Sequence, residues 1–303
     1  MVLLISWWLV LLLVGLAFVA GAGVAMVVLR QRRQQRRPGP GRDRKRSTAY
    51  ESVYPLPIPV FRSLVAHLAQ QKAATRPGQF TAQDGEDVLL AELFGYKTDG
   101  FFIEIGAYDG LYLSNSYFFE QLGWRGLLVE PLPEKAAACR RNRPGSIVIE
   151  AALGRQPGTA TLTEVLDGGA REDVLSYIGG NGQIAGKLAR LNTQTRSYQV
   201  AVKSFPQVMA EAGHRPGMAI DFISIDCEGM DLEILQTIDL DQWQPRIFVL
   251  ESAGEAATAY LQQHGYAPML RIRANILYSR QPADQATLSV RGYWHALGVT
   301  AAG

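Results

Sequence analysis

Cysteine is nearly absent. Cys139 and Cys227 are the only two in 303 residues, too few for a disulfide framework, and both read as reduced thiols. Histidine is equally sparse: His67, His214, His264 and His295 show no metal-ligand spacing, and none lies near Cys227 in sequence to activate it as a nucleophile. The chain also lacks a Gly-x-Gly-x-x-Gly dinucleotide turn and a Gly-Lys-[Ser/Thr] triphosphate cradle. No internal repeat is present.

Charge is missing altogether from residues 2–29, where Ser6 is the one clearly polar side chain. As a helix this stretch reaches about 42 Å, against roughly 30 Å of hydrocarbon, so it is long enough to span a bilayer with tilt. Trp7 and Trp8 suit the outer interface. A cleaved signal peptide, with small residues at Ala20-Gly21-Ala22, fits less well: the positive leader is missing and the apolar run is too long. Nine Lys/Arg against Asp43 alone then fill residues 30–46. By the positive-inside rule they predict a cytoplasmic catalytic domain held by a single-pass anchor. Pro38, Pro40, Pro55, Pro57 and Pro59 mark a semi-rigid linker. The expected organisation is an anchor at 1–29, a basic and Pro-containing juxtamembrane linker at 30–78, and a catalytic domain at 79–303. Outside the basic block the chain holds 21 basic and 27 acidic residues, which argues against a nucleic-acid partner.

What is present is a series of apolar strands, each ending on an acid. Phe101–Ile105 runs through Glu104 into a turn with Gly106, Asp109 and Gly110; Gly126–Val129 ends on Glu130; a strand over 220–226 ends on Asp226, with Glu228 two residues on; a strand over 246–251, with Phe248–Leu250, ends on Glu251. Strands of this kind need cover on both faces, as in a parallel sheet. Helices are expected near 84–96, with Asp84 as cap, and near 114–122, 133–142, 229–239 and 254–264. The fold class is α/β, a Rossmann-like doubly wound, mostly parallel sheet. Ligands of such sheets bind at the carboxyl ends of the strands. Glu130, about 20 residues after the glycine turn, is placed to accept from both ribose hydroxyls. Acids at the turn would repel a pyrophosphate and favour a ligand with ammonium and sulfonium groups, which points to S-adenosylmethionine (SAM) rather than NAD.

The order Gln83-Asp-Gly-Glu-Asp87, Glu104-Ile-Gly-Ala-Tyr-Asp-Gly110, Ser114-Asn115, Gly123-Trp-Arg-Gly-Leu-Leu-Val-Glu-Pro131 and Ile225-Asp-Cys-Glu-Gly-Met-Asp-Leu-Glu-Ile-Leu235 resembles the FkbM-type SAM-dependent methyltransferases. The resemblance implies a class I methyltransferase domain, with an antiparallel strand pair near 266–273 and 275–279 closing its sheet. It also implies O-methyl transfer to a hydroxyl of a sugar, glycan or glycolipid-like acceptor. Expected cofactor contacts are Glu104, Gly106, Ala107, Tyr108, Asp109, Gly110, Asn115, Glu130 and Ala152. Each has a plainer reading as well, Glu104 and Asn115 as caps and the glycines as turn formers.

Methyl transfer to a hydroxyl needs a proton acceptor, and Asp226, Glu228 and Glu251 are the catalytic candidates. Three acids are also sufficient in kind to hold a divalent cation. Residues 155–203 break the strand–helix rhythm. Within them Thr159–Val165 and Tyr198–Val202 read as strands flanking a glycine-rich stretch, which is either a cover for the crevice or an insertion without a role. Two other classes stay open on sequence: an NAD-dependent or nucleotide-sugar-modifying enzyme, and an inert membrane scaffold that keeps the fold.

Overall fold

A computed structural model describes residues 78–165, 176–178, 194–227, 229–251 and 253–284. The chain divides into units 1–47 and 48–303, and the described residues all belong to the second. The predicted span 2–29, the basic block, the linker and Glu228 lie outside the described residues. Among the described residues no helix is long and apolar enough to cross a membrane.

Seven strands form the central sheet: β1 (Phe101–Ile105), β2 (Arg125–Val129), β3 (Ser146–Ile149), β8 (Phe222–Ile225), β9 (Ile247–Glu251), β10 (Ala267–Ile272) and β11 (Asn275–Ser279), in the order β10-β11-β9-β8-β1-β2-β3. The five from β3 to β9 pair in parallel, while β11 is antiparallel to both β9 and β10. The expected closing pair therefore forms. Alternation along the strands sends side chains to two cores. Phe101, Ile103 and Ile105 face one core, shared with Phe205, Leu235 and Leu261. Phe102 faces the other, with Leu89, Phe119, Trp124 and Phe222.

The helices differ from expectation mainly at their ends. α1 (Glu86–Leu93) starts after Gly85, held in the left-handed region at φ 91°, and not under an Asp84 cap. The Asp87 carboxylate takes the amides of Thr81 and Ala82 instead, and Asp84 pairs with Arg273 at 3.5 Å. α2 (Tyr117–Gln121) and α3 (Pro133–Asn142) follow β1 and β2. The helix expected at 229–239 is only α5 (Asp231–Leu235). A helix absent from the expectation, α4 (Phe205–Glu211), closes its start with a capping box between Ser204 and Gln207, and α6 (Glu255–Gln263) precedes the final hairpin.

A second sheet occupies the region that broke the rhythm. The chain turns sharply at Ala151, whose amide donates to the carbonyl of Ile149 at 3.2 Å, and leaves the main sheet. β4 (Ala152–Leu153), β5 (Gly158–Val165), β6 (Ser176–Ile178) and β7 (Thr195–Lys203) then assemble in the order β4-β7-β5-β6. β5 pairs antiparallel with β7 over its whole length, from Gly158↔Val202 to Val165↔Thr195. Leu132, Ala152, Leu162 and Val200 pack between this sheet and the start of α3.

A cofactor cleft at the carboxyl edge of the sheet

The cleft lies where β1, β2 and β8 end and β4 begins. Its walls are mostly apolar: Ile105, Val129, Leu132, Leu153, Leu162 and Ile234. The second sheet contributes Leu153 and Leu162, so the insertion does form part of this crevice. Among the described residues two acids line it, Glu130 and Asp226, and no Lys or Arg does. Of the residues expected from sequence, the cleft brings together Gly106, Tyr108, Glu130, Ala152 and Asp226.

Glu130 is held by the chain on both sides of it. Its Oε2 accepts the Tyr108 amide at 2.9 Å and its Oε1 the Leu132 amide at 2.9 Å. A carboxylate has about four acceptor positions, so each oxygen keeps one for a ligand. Burial pushes the Glu130 pKa up to about 7, against the pull of those two amides and of Lys135. Tyr108 sits at φ 52°, uncommon for a residue with a side chain, and the Lys135 ammonium lies 3.7 Å from its ring centroid. Strain of this kind gathers at ligand sites.

Gly106 is required by the protein itself. At φ 85°, a Cβ here would stand 1.9 Å from the Asp226 carbonyl oxygen, so glycine is what lets the β1 and β8 turns meet. At Gly110 (φ 79°) a Cβ would press on Arg143 Cγ at 2.8 Å. Asp109 turns away from the cleft to accept the amides of Leu111 and Tyr112, and Ala107 is buried in the second core.

Glu104 and Asn115 are placed elsewhere. Strand alternation puts Glu104 on the face of Phe102, opposite Ile105. There its Oε1 accepts the Asn115 amide at 2.8 Å, and its Oε2 accepts the hydroxyls of Ser114 at 2.8 Å and Ser116 at 2.7 Å. Arg143, fully buried, lies 3.6 Å from the same oxygen and pairs with Glu120 at 2.8 Å. Asn115 donates from Nδ2 to Ser224 on β8 at 3.0 Å. Neither residue lines the cleft. Glu251 ends β9 in register with Asn275 and does not line it either.

Two side chains at the β8 end, Met230 and Asp231, escaped the sequence reading. Cys227 and Met230 line the cleft. Burial, and then Asp231 and Asp226, push the Cys227 thiol well above its ordinary pKa, which removes it as a thiolate nucleophile. Asp231, the first residue of α5, is 3% exposed, and neither oxygen has a hydrogen-bond partner among the described residues. Burial raises its pKa to about 7; Glu251 adds to the rise, while its own amide and those of Cys227 and Gly229 draw it down without reaching hydrogen-bond geometry. A first-turn acid reads from sequence as a helix-dipole partner, and its place five residues after Asp226 was the one available signal. Among the described residues no group of three or more His, Cys, Asp or Glu is disposed to hold a metal ion. A second cleft adjoins the first, sharing Leu153 and Met230 and bordered by Arg155, Glu233 and Gln236.

Seven strands in this order, with an acid-lined apolar cleft at their carboxyl edge, define a Rossmann-like fold with a ligand cleft. The Methyltransferase FkbM domain matches residues 104–268, more than half of the chain, and the chain belongs to that family. It is a SAM-dependent methyltransferase. Similar solved structures include the precorrin-6Y C5,15-methyltransferase of Geobacter metallireducens (15% identity, 67% of this chain and 91% of that one, TM-score 0.35). Others are an O-methyltransferase from Bacillus cereus in complex with SAH (11%, 76% and 94%, 0.32) and TrmK from M. capricolum with S-adenosyl-homocysteine (9%, 65% and 73%, 0.32). Likeness at this level carries no argument about the acceptor. No curated protein matches the chain. The cleft suits SAM in its chemistry: among the described residues two acids and no cationic side chain line it, and Glu130 is fixed by two amides with acceptor capacity to spare.

Proposed function

We propose that this chain is a membrane-anchored O-methyltransferase that acts on a hydroxyl of a sugar, glycan or glycolipid-like acceptor. The observation that carries the reading is the acidic end of β8 in an otherwise apolar cleft. SAM, when bound, supplies an electrophilic methyl on a sulfonium. The chain's own residues do the rest. Glu130 accepts the ribose hydroxyls, Tyr108 and the residues around Gly106 form the floor, and the apolar wall with Ala152 receives the adenine and excludes water. A carboxylate at the β8–β9 end (Asp226, Glu228 or Glu251) takes the acceptor's proton, a step worth about 10²–10⁴-fold.

The anchor, residues 2–29, concentrates the enzyme on a membrane-bound acceptor, and the basic block keeps the catalytic domain on the cytoplasmic side. Two experiments test the proposal. Cells expressing the protein and fed methyl-labelled methionine should carry label as a base-stable ether in a glycan or glycolipid fraction; label confined to protein or nucleic acid rejects the acceptor. In sealed right-side-out vesicles, added protease should spare the catalytic domain; digestion, or recovery of the protein as a soluble secreted form, rejects the topology.

A further inference from the structure

The turn that leads from β1 toward α2 holds two residues with side chains in the left-handed region, Tyr108 at φ 52° and Leu113 at φ 57°. Such residues are uncommon, and a fold keeps them where the surroundings over-determine the backbone. Here the turn is pinned at each step. The Tyr108 amide donates to Glu130 at 2.9 Å, and Asp109 Oδ1 accepts the amides of Leu111 at 2.8 Å and Tyr112 at 2.7 Å. From the end of α3, Asn142 Nδ2 donates to the Asp109 carbonyl and Arg143 Nη1 to the Gly110 carbonyl, both at 2.9 Å. Leu113 forms a bridge with Ala82. What this rigid turn presents is a pair of tyrosines. Tyr108 lines the cofactor cleft, and Tyr112 is 43% exposed, its ring centroid 6.0 Å from that of Tyr108 and inclined to it at 54°. An exposed tyrosine alone needs no reason. One held by a strained, fully bonded turn against a ring of the cleft does.

Resting on the sugar-acceptor reading above, we propose that Tyr112, backed by Tyr108, is a stacking platform at the mouth of the cleft for the sugar ring of the acceptor. The position follows from that reading. Glu130 takes the ribose; Tyr108 is bonded to Glu130 and stands two residues from Gly106, where the β1 turn meets the Asp226 carbonyl. A ring seated on Tyr112 therefore enters past the β1 turn, on the side away from the apolar wall of Ala152, Leu153 and Leu162 that receives the adenine. The chemistry matches as well. A pyranose carries hydroxyls on its rim and C–H bonds on its face, and the partial positive charge of those hydrogens suits the negative face of an aromatic ring. A cationic ligand fits less well, because the Lys135 ammonium already lies 3.7 Å from the Tyr108 ring centroid and repels a second positive charge. A platform fixed before the ligand arrives loses no loop freedom on binding, and the strained turn supplies that fixity. Tyr112 positions the acceptor and touches no reacting atom, so it governs saturation more than the chemical step.

The test uses the full chain in detergent with SAM and a solubilised membrane extract of source cells in which the gene is deleted, so that the acceptor is unmethylated. Tyr112→Ala should need about 3–10-fold more extract for half-maximal methyl transfer, the worth of one stacked aromatic contact, with the maximal rate within about threefold of wild type. Tyr112→Phe keeps the flat face and should stay within about twofold, whereas Tyr112→Leu keeps apolar bulk alone and should behave as Tyr112→Ala does. All three should bind S-adenosylhomocysteine within about twofold of wild type in titration calorimetry. Unchanged half-saturation in Tyr112→Ala, or wild-type half-saturation in Tyr112→Leu, overturns the platform. A parallel loss of S-adenosylhomocysteine affinity also overturns it, by moving Tyr112 into the cofactor site. If Tyr112→Ala does not fold, the Phe and Leu variants decide between themselves, and equal half-saturation in the two overturns the proposal. The labelled product separates this failure from that of the acceptor reading. Wild-type label in protein or nucleic acid rejects the sugar acceptor and the platform's occupant with it. Label in a glycan ether, with Tyr112→Ala saturating as wild type does, rejects the platform alone.

Discussion

The turn after β1 and the turn after β8 both carry acids at the carboxyl edge of one sheet, and they are built on opposite terms. At the first, Glu104 is saturated by two hydroxyls, one amide and a buried guanidinium, so its charge is spent within the fold. At the second, Asp231 is equally buried and has no described hydrogen-bond partner. Similar composition thus serves architecture in one turn and leaves unspent acceptor capacity in the other. An acid's functional weight follows from what its oxygens already hold, and its position at a strand end does not decide the matter.

Substitutions sharpen that contrast. The largest effect is expected at Glu104→Ala, which strips partners from Ser114, Ser116 and Asn115 and leaves Arg143 short of a counter-charge. Breaking a buried ion pair in this way costs about 3–5 kcal/mol, readable as a lower urea midpoint. If Glu104→Ala folds normally and its only defect is SAM affinity, the division between the two turns fails. Gly106→Ala comes next. It combines a left-handed alanine, about 1–2 kcal/mol, with overpacking against the Asp226 carbonyl, about 1–3 kcal/mol, and should lower both stability and SAM binding by urea melts and calorimetry.

Glu130→Ala stands between the two turns. It should weaken SAM by about 1.5–3 kcal/mol in titration calorimetry while the protein stays folded. Unchanged affinity in a folded variant removes Glu130 from the cofactor site. The pH dependence is smaller but general. Asp87, Glu130 and Asp231 all have pKa values raised to about 7 by burial, so each adds stability below its unfolded value that is lost as pH rises through 7. Unfolding midpoints should fall between pH 5 and pH 8; a rise across that window contradicts all three assignments at once. The smallest effect belongs to Cys227→Ala, expected to keep methyl transfer within about threefold because the buried thiol is no nucleophile.

Much of this was legible beforehand. Strand–turn–helix units with acids at strand ends are local patterns, and the sheet, its closing antiparallel pair, the cleft and the position of Glu130 follow from them. Glu104 shows where local reading stops. Alternation alone puts it on the face of Phe102, but only the fold brings Arg143 from the end of α3 and the serines of the α2 approach to surround it. The second sheet was half visible, as two short strands, because the pairing of β5 with β7 is set across a long intervening segment. Asp231 was passed over since a first-turn acid has a sufficient local explanation, and the failure of that explanation is visible only once burial and partners are known.

The insertion of a whole sheet between β3 and β8 also bears on how the chain is made. β1 takes its inner neighbour from far downstream: the Phe101 amide is bonded by the Asp221 carboxylate, 120 residues away. At ordinary rates of synthesis the β1–β2–β3 ribbon waits about 4–15 s for β8 to emerge. During that interval the edge of β1 that β8 will occupy, with Phe102, Ile103 and Ile105, is an open template for another strand. Nascent chains of this enzyme should therefore engage chaperones most strongly while β5 to β7 are being translated, and ribosome profiling of chaperone-bound chains should place the peak there.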